Sequence, residues 1–211
     1  MSFPLYLSIF GGMIADLLVK HILLFLVALS GATVAGILAG IAVYRLRAAR
    51  AIVPVMNVLQ ATPEIVLLAI CIPFLGIGYV GALVPLFIKG ILPVMQNTLS
   101  GLRSVEPGLK EAARGMGMSD RQTLLRVELI NAAPVIIAGI RISAIMLVSV
   151  ITLTAYIGVE SLGTLILQGI ARMDANALLV GSGLSALLAI IVNQIMILLE
   201  KVAMRLAGRS R

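Results

Sequence analysis

Two ionisable residues set inside long apolar runs are the first in this sequence that could do chemistry: Glu64, within 52–75, and Lys89, within 79–99. A charge at such a position is costly unless it pairs, snorkels to an interface or lines an aqueous path. Lys89 lies near the middle of its run, and all three fates are open to it. Glu64 is the opposite charge within reach if two helices bury these residues at matching depth. Gln60, Thr62 and Pro63 beside Glu64 complete a polar cluster. Proline removes a backbone hydrogen bond, and the freed carbonyl then needs a neighbour or water. Thr62, Pro63, Glu64, Lys89 and, further along, Asn97 are therefore the candidate residues of a translocation path.

Several other chemistries are excluded by what is missing. With one histidine, His21, and one cysteine, Cys71, no nucleophile–base–acid set and no His/Cys metal cluster can be assembled. His21 is read as capping or packing at an interface. Cys71 can form no internal disulfide and reads as a small buried hydrophobe. No GxxxxGK[ST] phosphate loop occurs, so ATP hydrolysis by that route must belong to another protein. The chain is read as a non-enzyme with no cofactor of its own, ATP and magnesium being left to a partner.

The polar residues that remain gather in one stretch, Ser100 to Asn131, which holds nine of the 25 charged side chains. Pro107 can start a helix there, and Gly115 and Gly117 can end it. Ser119 with Gln122 three residues on forms a capping-box pattern. Leu124, Leu125, Val127 and Leu129 would give a second short helix its buried side. The expectation is two short helices joined by a glycine-permitted bend. A polar island of this kind meets water or a soluble partner.

The elements that position these residues follow from composition. Of 211 residues, 61% are hydrophobic and 12% charged, with a mean hydropathy of +1.14; a soluble domain carries about 25% charge. Long uncharged runs argue for several membrane helices, and the alternating segments of a β-barrel are not visible. The fold class is all-α, one membrane domain over 1–211 with five spans at about 22–44, 52–75, 79–99, 132–157 and 177–199. Residues 1–21 read as an external amphipathic helix at the membrane surface, 100–131 as a cytoplasmic loop and 200–211 as a basic cytoplasmic tail. No signal peptide is recognisable at the N-terminus, so no cleavage is expected.

The net charge of +7 is placed as a topology signal, not as a nucleic-acid footprint. Arg45, Arg47 and Arg50, then Arg103, Lys110, Arg114, Arg121 and Arg126, then Lys201, Arg205, Arg209 and Arg211 each follow or precede an apolar run. Basic loops stay in the cytoplasm, which puts the N-terminus outside and the C-terminus inside. There is no aromatic interleaving and no soluble basic face for nucleic acid. Within 22–44, Ala28, Ala32, Gly36 and Gly40 recur every four residues, a small-residue stripe that lets another helix approach. Arg141 lies close enough to the inner end of its run to snorkel. Leu162, Leu165, Ile166 and Ile170 suggest a further surface helix outside, near Glu160, Arg172 and Asp174.

Glu111-Ala112-Ala113, Gly117, Val127 and Leu129 resemble the EAA loop of ABC importer permeases, with Ile130 standing where that family has proline. Thr62-Pro63, Phe74-Leu-Gly-Ile-Gly78, Leu92-Pro93, Asn97-Thr98 and Ala138-Gly-Ile-Arg141 extend the likeness to the osmoprotectant branch (glycine betaine, carnitine, choline). It covers about 20–200. Glu64, Lys89 and Val159-Glu-Ser161 depart from that branch. The resemblance implies a type I ABC importer permease fold in the bacterial inner membrane, two ATPase subunits beneath it, a second permease chain and an external substrate-binding protein. It also implies that Glu111, Ala112, Ala113, Gly115 and Gly117 dock the ATPase, with Ala112 and Ala113 permitting close approach. The scarcity of aromatics, nine Phe or Tyr and no Trp, fits recognition of a quaternary ammonium in the binding protein, where aromatic cages hold such groups. An amino acid or another betaine-like compound is the alternative cargo. A channel or secondary carrier gated by Glu64 and Lys89 is the alternative class.

Overall fold

A computed structural model describes residues 2–46, 48–206 and 208. Arg47, Arg209 and Arg211 of the basic clusters lie outside the described residues. The described chain is helical from end to end: α1 (Phe3–Arg45), α2 (Ile52–Ala61), α3 (Glu64–Leu75), α4 (Tyr79–Arg103), α5 (Pro107–Gly115), α6 (Asp120–Thr123), α7 (Leu129–Leu153), α8 (Leu162–Arg172) and α9 (Ala175–Leu206). Among the described residues, four stretches are long and apolar enough to cross a membrane: Phe3–Arg45, Tyr79–Arg103, Asp120–Ile157 and Ala175–Arg205. The α2–α3 pair passes the same test only as a unit bent by 105°.

Two expected boundaries change. Residues 1–21 are not a separate surface helix, because α1 runs unbroken for 43 residues with a proline in its first turn. At 1.5 Å per residue it spans about 65 Å, roughly twice the hydrocarbon thickness of a bilayer. Gly11 and Gly12 do not break it. Its N-terminal half packs Tyr6, Ile14 and Leu17 against Leu162, Leu165, Ala177 and Val180 of α8 and α9. Lys20 ties the same region to Asp16 and to Glu160. The proposed second span, 52–75, is the other change. Thr62 is extended (ψ 130°) and Pro63 caps α3, since the residue before a proline is pushed out of the helical region.

The small-residue stripe finds its partner in α4. Ala28, Ala32, Gly36 and Gly40 are buried, and a Cβ added at Gly36 would stand 2.6 Å from Val94 Cβ and 2.9 Å from the Ile91 carbonyl. Helix α4 is in turn held to α7 at Gly90, where the Ser143 hydroxyl donates to the carbonyl at 2.9 Å and an added Cβ would meet Ala32 at 2.6 Å. Three helices thus meet around one backbone position. The core above it joins Leu24, Phe25, Leu86, Leu147, Val148 and Ile151.

The polar stretch departs from two free helices. α5 is separate, but α6 continues through one π-helical turn, Leu124–Glu128, into α7. The expected apolar side forms in part: Leu124 and Leu129 pack against the Leu102, Val105, Ala132 and Ile136 cluster and Val127 is half-buried, but Leu125 is exposed and Thr123 and Glu128 are buried. Arg141 does not snorkel alone; its guanidinium lies 3.4 Å from Glu200 on α9. Cys71 is half-buried, and His21 is fully buried.

Candidate functional site

At the break between α2 and α3 the chain leaves orphan carbonyls, as every helix end does. The Gln60 carbonyl would serve the N–H of residue 64 if the helix continued, and Thr62 points its carbonyl the same way. Lys89, one helix over on α4, supplies the donors. Its ammonium donates to Gln60 O at 2.8 Å and to Thr62 O at 2.5 Å, and it lies 3.4 Å from Glu64 Oε1. The lysine is 2% exposed and the glutamate 36%. A cation thus sits at the C-terminal end of α2 and an anion in the first turn of α3, each complementing the dipole of its helix.

The candidate path residues are accordingly split. Thr62, Pro63, Glu64 and Lys89 share one site at the bend. Thr62 also turns its hydroxyl back to Val58 O at 3.0 Å, and the Gln60 amide reaches Met146 Sδ at 3.5 Å. Asn97 lies elsewhere, two turns along α4, donating to Pro93 O at 2.9 Å and packed where Gly139 of α7 passes. Its neighbour Gln96 donates to Asn57 Oδ1 on α2 at 3.0 Å.

The second site is the polar stretch. Pro107 opens α5 and the Gly115–Met116–Gly117 segment closes it. Gly117 takes φ +81°, and its N–H and that of Met118 satisfy the carbonyls of Arg114 and Ala113 at 2.9 and 3.1 Å. Ser119 Oγ accepts from Gln122 N at 3.3 Å while Gln122 Oε1 accepts from Ser119 N at 2.8 Å, the reciprocal cap its sequence predicts. Glu111, Ala112, Gly115 and Gly117 are exposed, but Ala113 is 1% exposed and faces the chain's own interior. Of the Ala112–Ala113 pair only Ala112 is presented outward.

Two attachments of this stretch to α1 carry no sequence signature. The Lys110 ammonium donates to the Tyr44 hydroxyl at 3.1 Å and to Leu102 O at 3.3 Å, and stands 5.5 Å from the Tyr44 ring centroid. Arg45 donates to Asp120 O at 2.7 Å. The basic cluster reads as topology only, and its contacts depend on where α1 ends.

Comparison with known proteins agrees with this architecture. Residues 32–205 match the family described as binding-protein-dependent transport system inner membrane component. A carnitine transport permease protein of Listeria monocytogenes is 40% identical over 146 residues, 69% of this chain and 67% of that protein. A choline transport system permease protein of Bacillus subtilis (strain 168) is 34% identical over 93% of this chain and 91% of its own length. A chain of the MetNI methionine ABC transporter, solved in an inward-facing conformation, superposes with a TM-score of 0.81 at 23% identity, covering 100% of both chains; at that identity the likeness speaks for the fold, that of a type I ABC importer permease. With the family match spanning most of the sequence, the chain belongs to the binding-protein-dependent inner-membrane permeases of ABC transporters.

Proposed function

We propose that this chain is the membrane permease of an ATP-driven importer for osmoprotectants of the quaternary-amine type, glycine betaine, carnitine or choline. The observation that carries the coupling role is α5: a short helix between two membrane-length elements that presents Glu111 and Ala112 outward and is fastened to α1 through Lys110. In this reading two ATPase subunits take α5 in a cleft, with Gly115 and Gly117 letting the chain turn back beneath them. ATP and magnesium act there, not in this chain. A second permease chain, the same or a paralogue, completes the path, and an external binding protein delivers the cargo. The N-terminus lies outside and the basic tail inside. The cargo class is supported by the relatives, whose names specify carnitine and choline.

At the bend, Lys89 is spent on the α2 carbonyls, so the pathway role falls to Glu64, whose carboxylate keeps an open edge. Thr62 and Pro63 shape that bend, and Asn97 serves the α4–α7 contact.

Proteoliposomes containing the permease, its ATPase and the binding protein should take up labelled betaine, carnitine or choline only with ATP. Glu111→Lys and Gly117→Trp should each abolish co-purification of the ATPase or uncouple its hydrolysis from uptake. Normal coupling in both variants would remove α5 from the docking role. Flux through the permease alone would replace the importer with a channel or secondary carrier, and uptake of an amino acid in place of the quaternary amines would reassign the cargo.

A further inference from the structure

Between α7 and α9 runs a groove of about 350 Å³ lined by Ile130, Ala133, Ile137, Leu199, Val202 and Ala203. Every lining residue is apolar, and Ile130, Leu199 and Val202 are 46–52% exposed. Across it the Arg141–Glu200 pair, 3.4 Å apart, ties the two walls together. Towards the other end each wall runs on to an arginine. Arg126 precedes Ile130 by four residues through the π-helical turn and Arg205 follows Val202 by three on α9, so each stands about one turn beyond this end of the groove, Arg205 beside Val202. Both are exposed, as is Lys201. Among the described residues none of these three makes an ion pair.

We propose that this groove is a binding site for an anionic phospholipid, with an acyl chain along the apolar floor and the phosphate at Arg126 and Arg205. Apolar area alone accommodates any lipid. The paired arginines at one end add the discrimination, because a guanidinium binds phosphate through two parallel N–H bonds and basic pockets between membrane helices hold anionic headgroups. Arg141 contributes no competing site, its charge being matched by Glu200. Nothing in this assignment depends on the cargo or on the ATPase.

Native mass spectrometry of the detergent-purified transporter, titrated separately with phosphatidylglycerol and phosphatidylcholine, tests it. Phosphatidylglycerol should be retained at lower concentration than phosphatidylcholine. The double variant Arg126→Gln, Arg205→Gln should lose that preference, its phosphatidylglycerol retention falling on the order of tenfold. Val202→Trp, which fills the groove from a half-exposed position, should lower retention of both lipids. Arg121→Gln, an exposed arginine off both walls, should change neither. Equal retention by the double variant and the parent overturns the site, as does a loss in Arg121→Gln of the same size. A disulfide between two permease copies carrying Val202→Cys in native membranes also overturns it, by showing that protein covers the groove.

Discussion

Lys89 Nζ stands 3.4 Å from Glu64 Oε1, yet the two share their site unequally, the lysine 2% exposed and the glutamate 36%. The ammonium is fixed by the end of α2 through Gln60 O and Thr62 O. The carboxylate begins α3 and still faces outward. One member of the pair closes a broken helix and the other is left with a free edge, so charge removal at the two positions should give different outcomes.

Lys89→Met keeps the unbranched apolar stem, one atom shorter, and removes its donors, leaving two carbonyls orphaned and Glu64 without its cation. The cost should be about 2–5 kcal/mol. Glu64→Gln leaves the buried ammonium its two carbonyl acceptors but no anion, and should cost less, about 1–2 kcal/mol. Thermal unfolding of the purified transporter would read this as a larger drop for the first variant than for the second, while uptake by Glu64→Gln should fall more for cationic choline than for zwitterionic betaine. Equal destabilisation by both would show that Glu64, too, is structural.

The α1–α4 seam offers a test of opposite signs. A methyl at Gly36 would be forced against Val94 Cβ and the Ile91 carbonyl, and backbone cannot yield cheaply. Gly36→Ala should destabilise by about 1–3 kcal/mol despite alanine's better helix propensity. Gly11→Ala, with nothing within 4 Å of the added carbon, should be neutral or stabilise by up to about 1 kcal/mol. Unfolding midpoints of the two variants should move apart, and a shift in the same direction for both would mean that the close approach is not tight.

These contrasts also show how far the sequence could be read. Hydropathy and the basic clusters locate the apolar helices, because burial in lipid and positive charge at the inner face are composition effects. The capping box at Ser119 and the glycine stop at Gly117 are local geometry and therefore legible. Pro63 is legible as a residue that costs a backbone hydrogen bond, but the single span read over 52–75 does not contain the 105° bend; Pro85, Pro93 and Pro134 lie inside helices that continue past them. What decides is whether the orphan carbonyls find a donor, and Lys89 is 27 residues beyond Thr62. Gly11–Gly12 is the opposite case: α1 runs on through the pair, flanked by Tyr6, Ile14 and Leu17, which pack against α8 and α9. The Lys110–Tyr44 contact needs both the end of α1 and the start of α5 in place, and neither fixes the other locally.

That contact predicts a coupling phenotype. Lys110→Met leaves α5 capped but severs its link to the Tyr44 hydroxyl and ring, both partly exposed, so stability should change by no more than about 1 kcal/mol. If α5 moves α1 through this link, ATP hydrolysis by the assembled transporter should persist while uptake per ATP falls. Lys110→Arg should restore part of it, since a guanidinium can still reach the phenol. Unchanged stoichiometry in Lys110→Met would leave Arg45 and the α4 and α7 junctions as the transmitting contacts.

The Arg141–Glu200 pair ties α7 to α9 at 3.4 Å, with the side chains 31% and 23% exposed. Each residue alone would be a poorly solvated charge in a membrane-length helix, and removing one partner strands the other. Arg141→Gln should therefore destabilise by about 1–3 kcal/mol, as should Glu200→Gln. The double neutral variant should cost less than the sum of the two, because no unpaired charge remains; a coupling of about 0.5–3 kcal/mol is expected for residues in contact. Exchanging the charges, Arg141→Glu with Glu200→Arg, should recover part of the loss if attraction between the helices is what matters. Additive single-variant effects, measured as unfolding midpoints in one detergent, would show that the two side chains are satisfied separately and that α9 is held by its apolar face alone.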